Sequence, residues 1–216
     1  MPTCKELHDM INGLKSRVDK LEASIKIKDN VIQKQADHIE ILESRVNQVD
    51  QYAKRQNLRI YGVEVKTVNG KAVSEKEDDV MKLVKKTHEE VGVDFKPDTI
   101  QRAHRVGKPT KDEHSGKTVQ PIIVRFKDWN ARCALYRARP TVHKPITKKS
   151  FKSIGQDATK ANLDLLKIAQ DYAKDDQGVK YACLDINCNL VIANKNGTFK
   201  HFNNINDLKR IFEKDD

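Results

Sequence analysis

The chain has 216 residues, 33% of them charged and 6% aromatic, and carries a formal net charge of +10. That length leaves room for an extended element plus about two small domains, and so much charge puts a good part of the chain on exposed surface without making it disordered in composition. The longest apolar run, Leu190–Ala193, falls far short of the roughly 20 residues of a spanning helix, which excludes a helical membrane protein.

From Leu7 onward apolar residues recur at alternating spacings of four and three. Ile11, Val18, Ile25, Ile32, Ile39, Val46 and Ala53 take heptad position a, and Leu7, Leu14, Leu21, Lys28, Gln35, Leu42 and Val49 take position d. Sustained over about six heptads, this predicts a coiled coil over residues 1–54 that joins copies of the chain. The g-to-e pairs Arg17 with Glu22, His38 with Glu43 and Arg45 with Asp50 suit a parallel arrangement. β-branched residues at a with Leu at d favour two strands. Arg17-Val18-Asp19-Lys20-Leu21-Glu22, nearly repeated at Arg45–Asp50, instead matches the Arg-apolar-x-x-apolar-Glu signature of trimers. A homotrimer is favoured over a dimer, with polar Lys28 and Gln35 at d fixing register or holding an ion.

After Ala53 the period changes to two. Asn57–Val63 alternates as a strand, and Ser74 with Glu77 forms a capping-box pattern that opens a helix through Val80, Leu83, Val84 and Val91, ending at Gly92. Ile100–Val106 reads as a strand, Gly107–Gln120 as a loop and Ile122–Phe126 as a strand. Asp128 caps a helix through Trp129, Ala131, Ala134 and Leu135, and a last strand is expected near Lys144–Phe151. The sum over residues 55–152 is β-α-β-β-α-β, the split βαβ order of an RNA-recognition-motif-like domain. Residues 153–216 predict a small α+β domain: a helix through Leu163, Leu166, Ile168, Ala169 and Tyr172, strands at Val179–Asp185 and Asn189–Asn194, an Asn196-Gly197 turn into Phe199 and Phe202, and a short helix at Leu208–Phe212. The fold class is therefore α+β behind an N-terminal parallel coiled coil.

The charge is uneven. Residues 99–160 hold 15 Lys/Arg against 4 Asp/Glu, while residues 1–52 and 161–216 each hold 8 against 9, so the middle of the chain is the part that faces a polyanion. Split βαβ domains bind single strands on the open sheet face, where bases stack and phosphates meet cations. Burying Leu58 and Ile60 turns Arg59 and Tyr61 outward, and burying Ile122, Val124 and Phe126 turns Arg125 outward. Such a face holds backbones more firmly than it reads bases. On the second strand, Ile100 and Val106 share a parity with Arg102 and His104. Either those two are buried or a bulge breaks the alternation.

Four segments, in this order and over residues 5–213, resemble the RNA-binding protein encoded by the first open reading frame of LINE-type non-LTR retrotransposons, the transposase-22 family. A related likeness is to the few-polyhedra protein of baculoviruses. The segments are Asn57-Leu58-Arg59-Ile60-Tyr61-Gly62 directly after a coiled coil, Ile100–Arg105 followed by Pro121–Phe126, Leu135-Tyr136-Arg137-Ala138-Arg139, and Gly197–Phe202 with Leu208 and Phe212. The resemblance implies a trimeric nucleic-acid chaperone that coats element RNA during retrotransposition, with Asn57, Arg59, Arg102, Arg105, Arg125, Arg139 and Tyr181 as binding residues. The expected partners are single-stranded RNA or DNA and further copies of the chain.

No Gly-rich phosphate loop, nucleophile elbow or paired-His helix motif occurs, so no enzyme is expected and no cofactor is implied. Cys183 and Cys188 with His201 lack a fourth ligand at zinc spacing, which favours a buried reduced pair over a metal site. Four cysteines without a secretory leader suit a reducing compartment; a cytoplasmic ribonucleoprotein is expected, with the nucleus as second compartment. The alternative is a coiled-coil scaffold or virion-assembly adaptor of few-polyhedra type.

Overall fold

No proline interrupts the sequence between Cys4 and Lys54, and in the computed structural model this stretch is one helix, α1 (Cys4–Lys54), of 51 residues. Its entry is a reciprocal capping box: Thr3 N donates to Glu6 Oε2 at 2.7 Å and Glu6 N donates to Thr3 Oγ1 at 3.4 Å. The Thr3 backbone N–H also holds the Glu6 carboxyl below its ordinary pKa. The structure describes residues 2–113, 115–141, 145–147, 149–174 and 179–202. Residues 1–48 and 49–216 form two units. In the first, Leu7, Ile11, Leu14, Val18, Leu21, Ile25, Ile32, Ile39, Leu42 and Val46 are all exposed.

The second unit is mixed α+β. In chain order it holds β1 (Asn57–Tyr61), a hairpin of β2 (Thr67–Val68) and β3 (Lys71–Ala72), α2 (Glu77–Glu90), β4 (Ile100–Arg105), a hairpin of β5 (Thr110–Lys111) and β6 (Thr118–Val119), β7 (Ile122–Phe126), α3 (Trp129–Arg137) and β8 (Ser153–Gln156). Then follow α4 (Lys160–Lys174), β9 (Val179–Leu184), β10 (Leu190–Asn194) and β11 (Phe199–Phe202). One sheet has the order β4-β7-β1-β8, with every neighbour antiparallel. A second has the order β11-β10-β9, also antiparallel.

The first core forms where the alternation of β1 and β7 puts Leu58, Ile60, Ile122, Val124 and Phe126 on one face, all essentially without exposure. Val80 and Val84 of α2 and Leu135 of α3 complete it. At about 1.5–3 kcal/mol for each large buried side chain, this cluster dominates the stability of the sheet. Asp128 caps α3 as expected, accepting from the N–H groups of Asn130 and Ala131. The smaller second core packs Leu165 and Ala169 of α4 against Ala182, Leu190, Ile192 and Phe202.

Several expectations are corrected. The strand beside β1 is Ser153–Gln156, not Lys144–Phe151; it pairs Ile154 with Ile60, and Phe151, though buried, stands before the ladder. The first sheet thus takes a strand from beyond the expected 152/153 boundary. The Ser74–Glu77 box does not form: Lys76 is the N-cap of α2 and makes no side-chain cap bond, while three acids fill the first turn. The loop expected before Val73 and the Gly107–Gln120 loop each contain a two-residue ladder. In the first, Asn69 and Gly70 both have positive φ, 52° and 75°, the geometry of a type I′ turn. The expected Leu208–Phe212 helix lies outside the described residues. Among the described residues no helix is long and apolar enough to cross a membrane.

Candidate nucleic-acid interface

On β4 the register shifts between Ile100 and Arg102, so Gln101 is an extra residue and both Ile100 and Ala103 reach the core. This bulge resolves the parity conflict: Arg102 and His104 face away from the core and are exposed. Cross-strand pairing then sets rows on the open face. Arg102 lies opposite Arg125, which lies opposite Asn57; His104 lies opposite Ile123, which lies opposite Arg59, and Arg59 opposite Gly155. Neither Arg102 nor Arg125 has a carboxylate partner among the described residues. Like charges directly opposite in a sheet cost stability, so this pair does not itself favour folding.

Arg59 and Asn57 converge on Asp157, just past β8. Arg59 Nε donates to Oδ1 at 2.7 Å and Asn57 Nδ2 to Oδ2 at 2.8 Å, with the carboxylate 3% exposed and the Arg59 side chain 35%. Gln51, in the last turns of α1, donates to the Asp157 carbonyl at 3.2 Å and accepts from Thr159 N at 2.9 Å and from Asn162 Nδ2 at 3.2 Å. Arg59 is therefore held at Nε, while its two terminal nitrogens have no partner among the described residues. Asn57 Oδ1 is buried without a donor.

Tyr61 closes the face. A Cβ on Gly155 would sit 2.9 Å from Tyr61 Cε2, so the ring lies over the glycine and Gly155 leaves it room. Burial raises the Tyr61 pKa, opposed by the nearby Arg59 charge. At Gly62 (φ +70°) a side chain would meet Lys152, which explains the glycine that ends β1.

The remaining expected site residues separate from this face. Arg105 is consumed internally: Nε donates to Glu75 Oε2 at 2.9 Å, one terminal nitrogen to the Val63 and Gln120 carbonyls at 2.9 and 2.7 Å, and the other to the Glu64 carbonyl at 2.6 Å. Its side chain is only 9% exposed, so it ties loops together and offers nothing to a ligand. Arg139 lies past α3, 3.8 Å over the Tyr136 ring and donating to the Tyr136 carbonyl at 2.7 Å. Tyr181 is on β9, in the second sheet. The structure thus groups Asn57, Arg59, Tyr61, Arg102 and Arg125 and places Arg139 and Tyr181 elsewhere.

Sequence reasoning missed Asp157 and Gln51, whose roles depend on partners about a hundred residues away, and Arg132. Arg132 is 1% exposed, between the Trp129 and Tyr136 rings at 4.8 and 5.3 Å, and donates to Gln156 Oε1 at 3.3 Å. The same oxygen accepts from the Cys188 thiol at 2.7 Å. Burial pushes that thiol's pKa to about 12. Cys183, expected buried with it, is exposed, because the strand alternation of β9 that turns Ala182 into the α4 core turns Cys183 to the other face. Among the described residues no cluster of metal-ligating side chains forms.

Compared with models of protein families and with curated proteins, the chain matches none. The functional reading therefore rests on the face itself.

Proposed function

We propose that this chain is an oligomeric, sequence-tolerant binder of single-stranded RNA or DNA. In this reading α1 joins two or three copies as a parallel coiled coil, and the β4-β7-β1-β8 sheet acts as an RNA-recognition-motif-like platform. The observation that carries it is the juxtaposition of Arg102 and Arg125 across β4 and β7, beside Asn57 and without carboxylate partners among the described residues. A phosphate backbone crossing the sheet would neutralise two charges that otherwise repel. The contacts are cationic and carry no base code, so tolerance of sequence follows.

The continuous 51-residue helix with its exposed heptad stripe supports multimerisation. With the segment resemblances given above, the arrangement supports a chaperone-type coat protein of a non-LTR retrotransposon, working in a cytoplasmic ribonucleoprotein. The test is a salt series with single-stranded RNA. Arg102→Ala and Arg125→Ala should each weaken binding alike for unrelated sequences and flatten the log–log salt slope by about 0.7 per lost phosphate contact. Unchanged affinity in both folded variants would remove the sheet face from the reading and favour a coiled-coil scaffold.

A further inference from the structure

The β5–β6 hairpin, the second half of α2 and the stretch before β8 leave between them, at the end of β1, a cleft of about 780 Å³. That is within the roughly 300–1,000 Å³ of ligand-sized pockets. None of Asn57, Arg59, Tyr61, Arg102 and Arg125 lines it, so the arginine face does not use it. Every wall brings a lysine: Lys86 from α2, Lys117 from the hairpin, and Lys149 and Lys152 from the stretch before β8.

The carboxylates beside these lysines are already engaged. Asp112 Oδ2 accepts from Ser115 N and Oγ at 3.1 and 2.7 Å, and Glu90 Oε2 accepts from Ser150 N and Oγ at 2.8 and 3.0 Å. Lys152 and Lys86 stand 3.9 Å from those two acids, beyond hydrogen-bond length. Lys149 donates to the Lys152 carbonyl at 2.8 Å and forms no ion pair among the described residues. Lys117 is held by Glu64 at 2.6 Å, but both side chains are exposed, where such a pair contributes little. Between the lysines, Leu83 and Val119 are half-buried and keep apolar surface open to the cleft.

We propose that this cleft docks a partner protein through an acidic peptide segment that carries aliphatic side chains. Cations on three walls call for several carboxylates spread along the occupant, and Leu83 with Val119 gives its apolar side chains a seat. A nucleic-acid strand fits less well. The aromatic residue of the wall, Phe151, is 3% exposed and has Lys149 over its ring at 5.5 Å, so no ring face is open for a base to stack on. The cleft therefore works independently of the nucleic-acid reading above.

The experiment uses the full chain, a fluorescent twelve-residue peptide of alternating glutamate and leucine, a second peptide with serine for leucine, and a 20-nucleotide uridine oligomer. The wild type should bind the leucine peptide more tightly than the serine peptide. Lys86→Glu and Lys152→Glu should each lower that affinity about tenfold, because each turns an attraction into a repulsion, with the thermal midpoint kept and binding of the oligomer within about a factor of two. Lys86→Arg and Lys152→Arg should retain the peptide, which separates loss of charge from loss of folding. If the two peptides bind alike, or the reversals leave the leucine peptide bound as before, the docking site is wrong. If the reversals weaken the oligomer as much as the peptide, the cleft belongs to the nucleic-acid path and no partner docks there. If the peptide lowers the sedimentation coefficient of the chain, the occupant is a second copy and the separate partner is wrong.

Discussion

His88 shows how one side chain makes stability depend on pH. It is buried against α2's own turn, its Nδ1 2.8 Å from the Val84 carbonyl and its ring edge-on to Phe95 at 5.3 Å. Because a carbonyl only accepts, Nδ1 carries a proton and donates to it. Burial lowers its pKa from the ordinary 6.5, and the Val84 bond opposes this in part. As pH falls below about 6.5, the unfolded chain binds a proton at His88 that the folded chain refuses, so stability present at neutral pH is lost down to the lower folded value. Thermal melts should show the wild-type midpoint falling faster between pH 7 and 5.5 than that of His88→Phe. Parallel slopes would mean that the ring takes up its proton without cost. The sequence does not disclose this residue, because a lone histidine near a helix end looks solvated until Phe95 and Phe126 close over it. Arg105 misleads in another way: the resemblance makes it a binding residue alongside Arg102, yet the two stand three apart in the regular register of β4 and so lie on opposite faces of the sheet.

At the scale of elements, legibility follows the range of the signal. β1, β7 and the capped α3 are local patterns of alternation and capping, and they stand where the sequence puts them. The strand of the first sheet next to α4 does not, because Ser153–Gln156 is short, half polar and defined only by its partner Leu58–Tyr61. The Arg59–Asn57–Asp157 cluster is illegible for the same reason. α1 is the opposite case, a signal repeated over the whole element. In its heptad frame Cys4, one heptad before Ile11, falls at position a, and it is exposed in the single chain. A parallel in-register bundle brings the Cys4 thiols of neighbouring copies together, whereas an antiparallel pair separates them by about 75 Å at 1.5 Å per residue. Oxidation with copper–phenanthroline should therefore link copies through Cys4, with the covalent dimer visible on a non-reducing gel and lost in Cys4→Ser. A wild-type chain that sediments as an oligomer but gives no Cys4-dependent link would reverse the parallel assignment.

For the whole molecule, the proposed division is between a unit that binds and a helix that multiplies it. In the proposed reading one copy would offer a few phosphate contacts, from Arg59, Arg102 and Arg125, which lie on one face of the first sheet, and so few would bind weakly at physiological salt. Tethering two or three copies makes each later contact intramolecular, and avidity of this kind reaches 10²–10⁴ without any new contact. Removing residues 1–48 deletes one of the two units and spares Gln51, whose bonds to Asp157 and Thr159 help build the arginine face. Binding of the truncated chain to a long single strand should fall by on the order of a hundredfold. Its affinity for an oligonucleotide too short to reach two copies should stay within about a factor of two of the full chain, because no phosphate contact has been lost. That contrast is what identifies tethering, since damage to the binding unit would weaken both ligands together. A truncation that instead reached Gln51 should weaken the short ligand as well, as Asp157 would lose a partner and Arg59 its fixed position. If the 1–48 deletion binds long strands as tightly as the full chain, α1 multiplies something other than nucleic-acid contacts, and its exposed heptad face belongs to a scaffold.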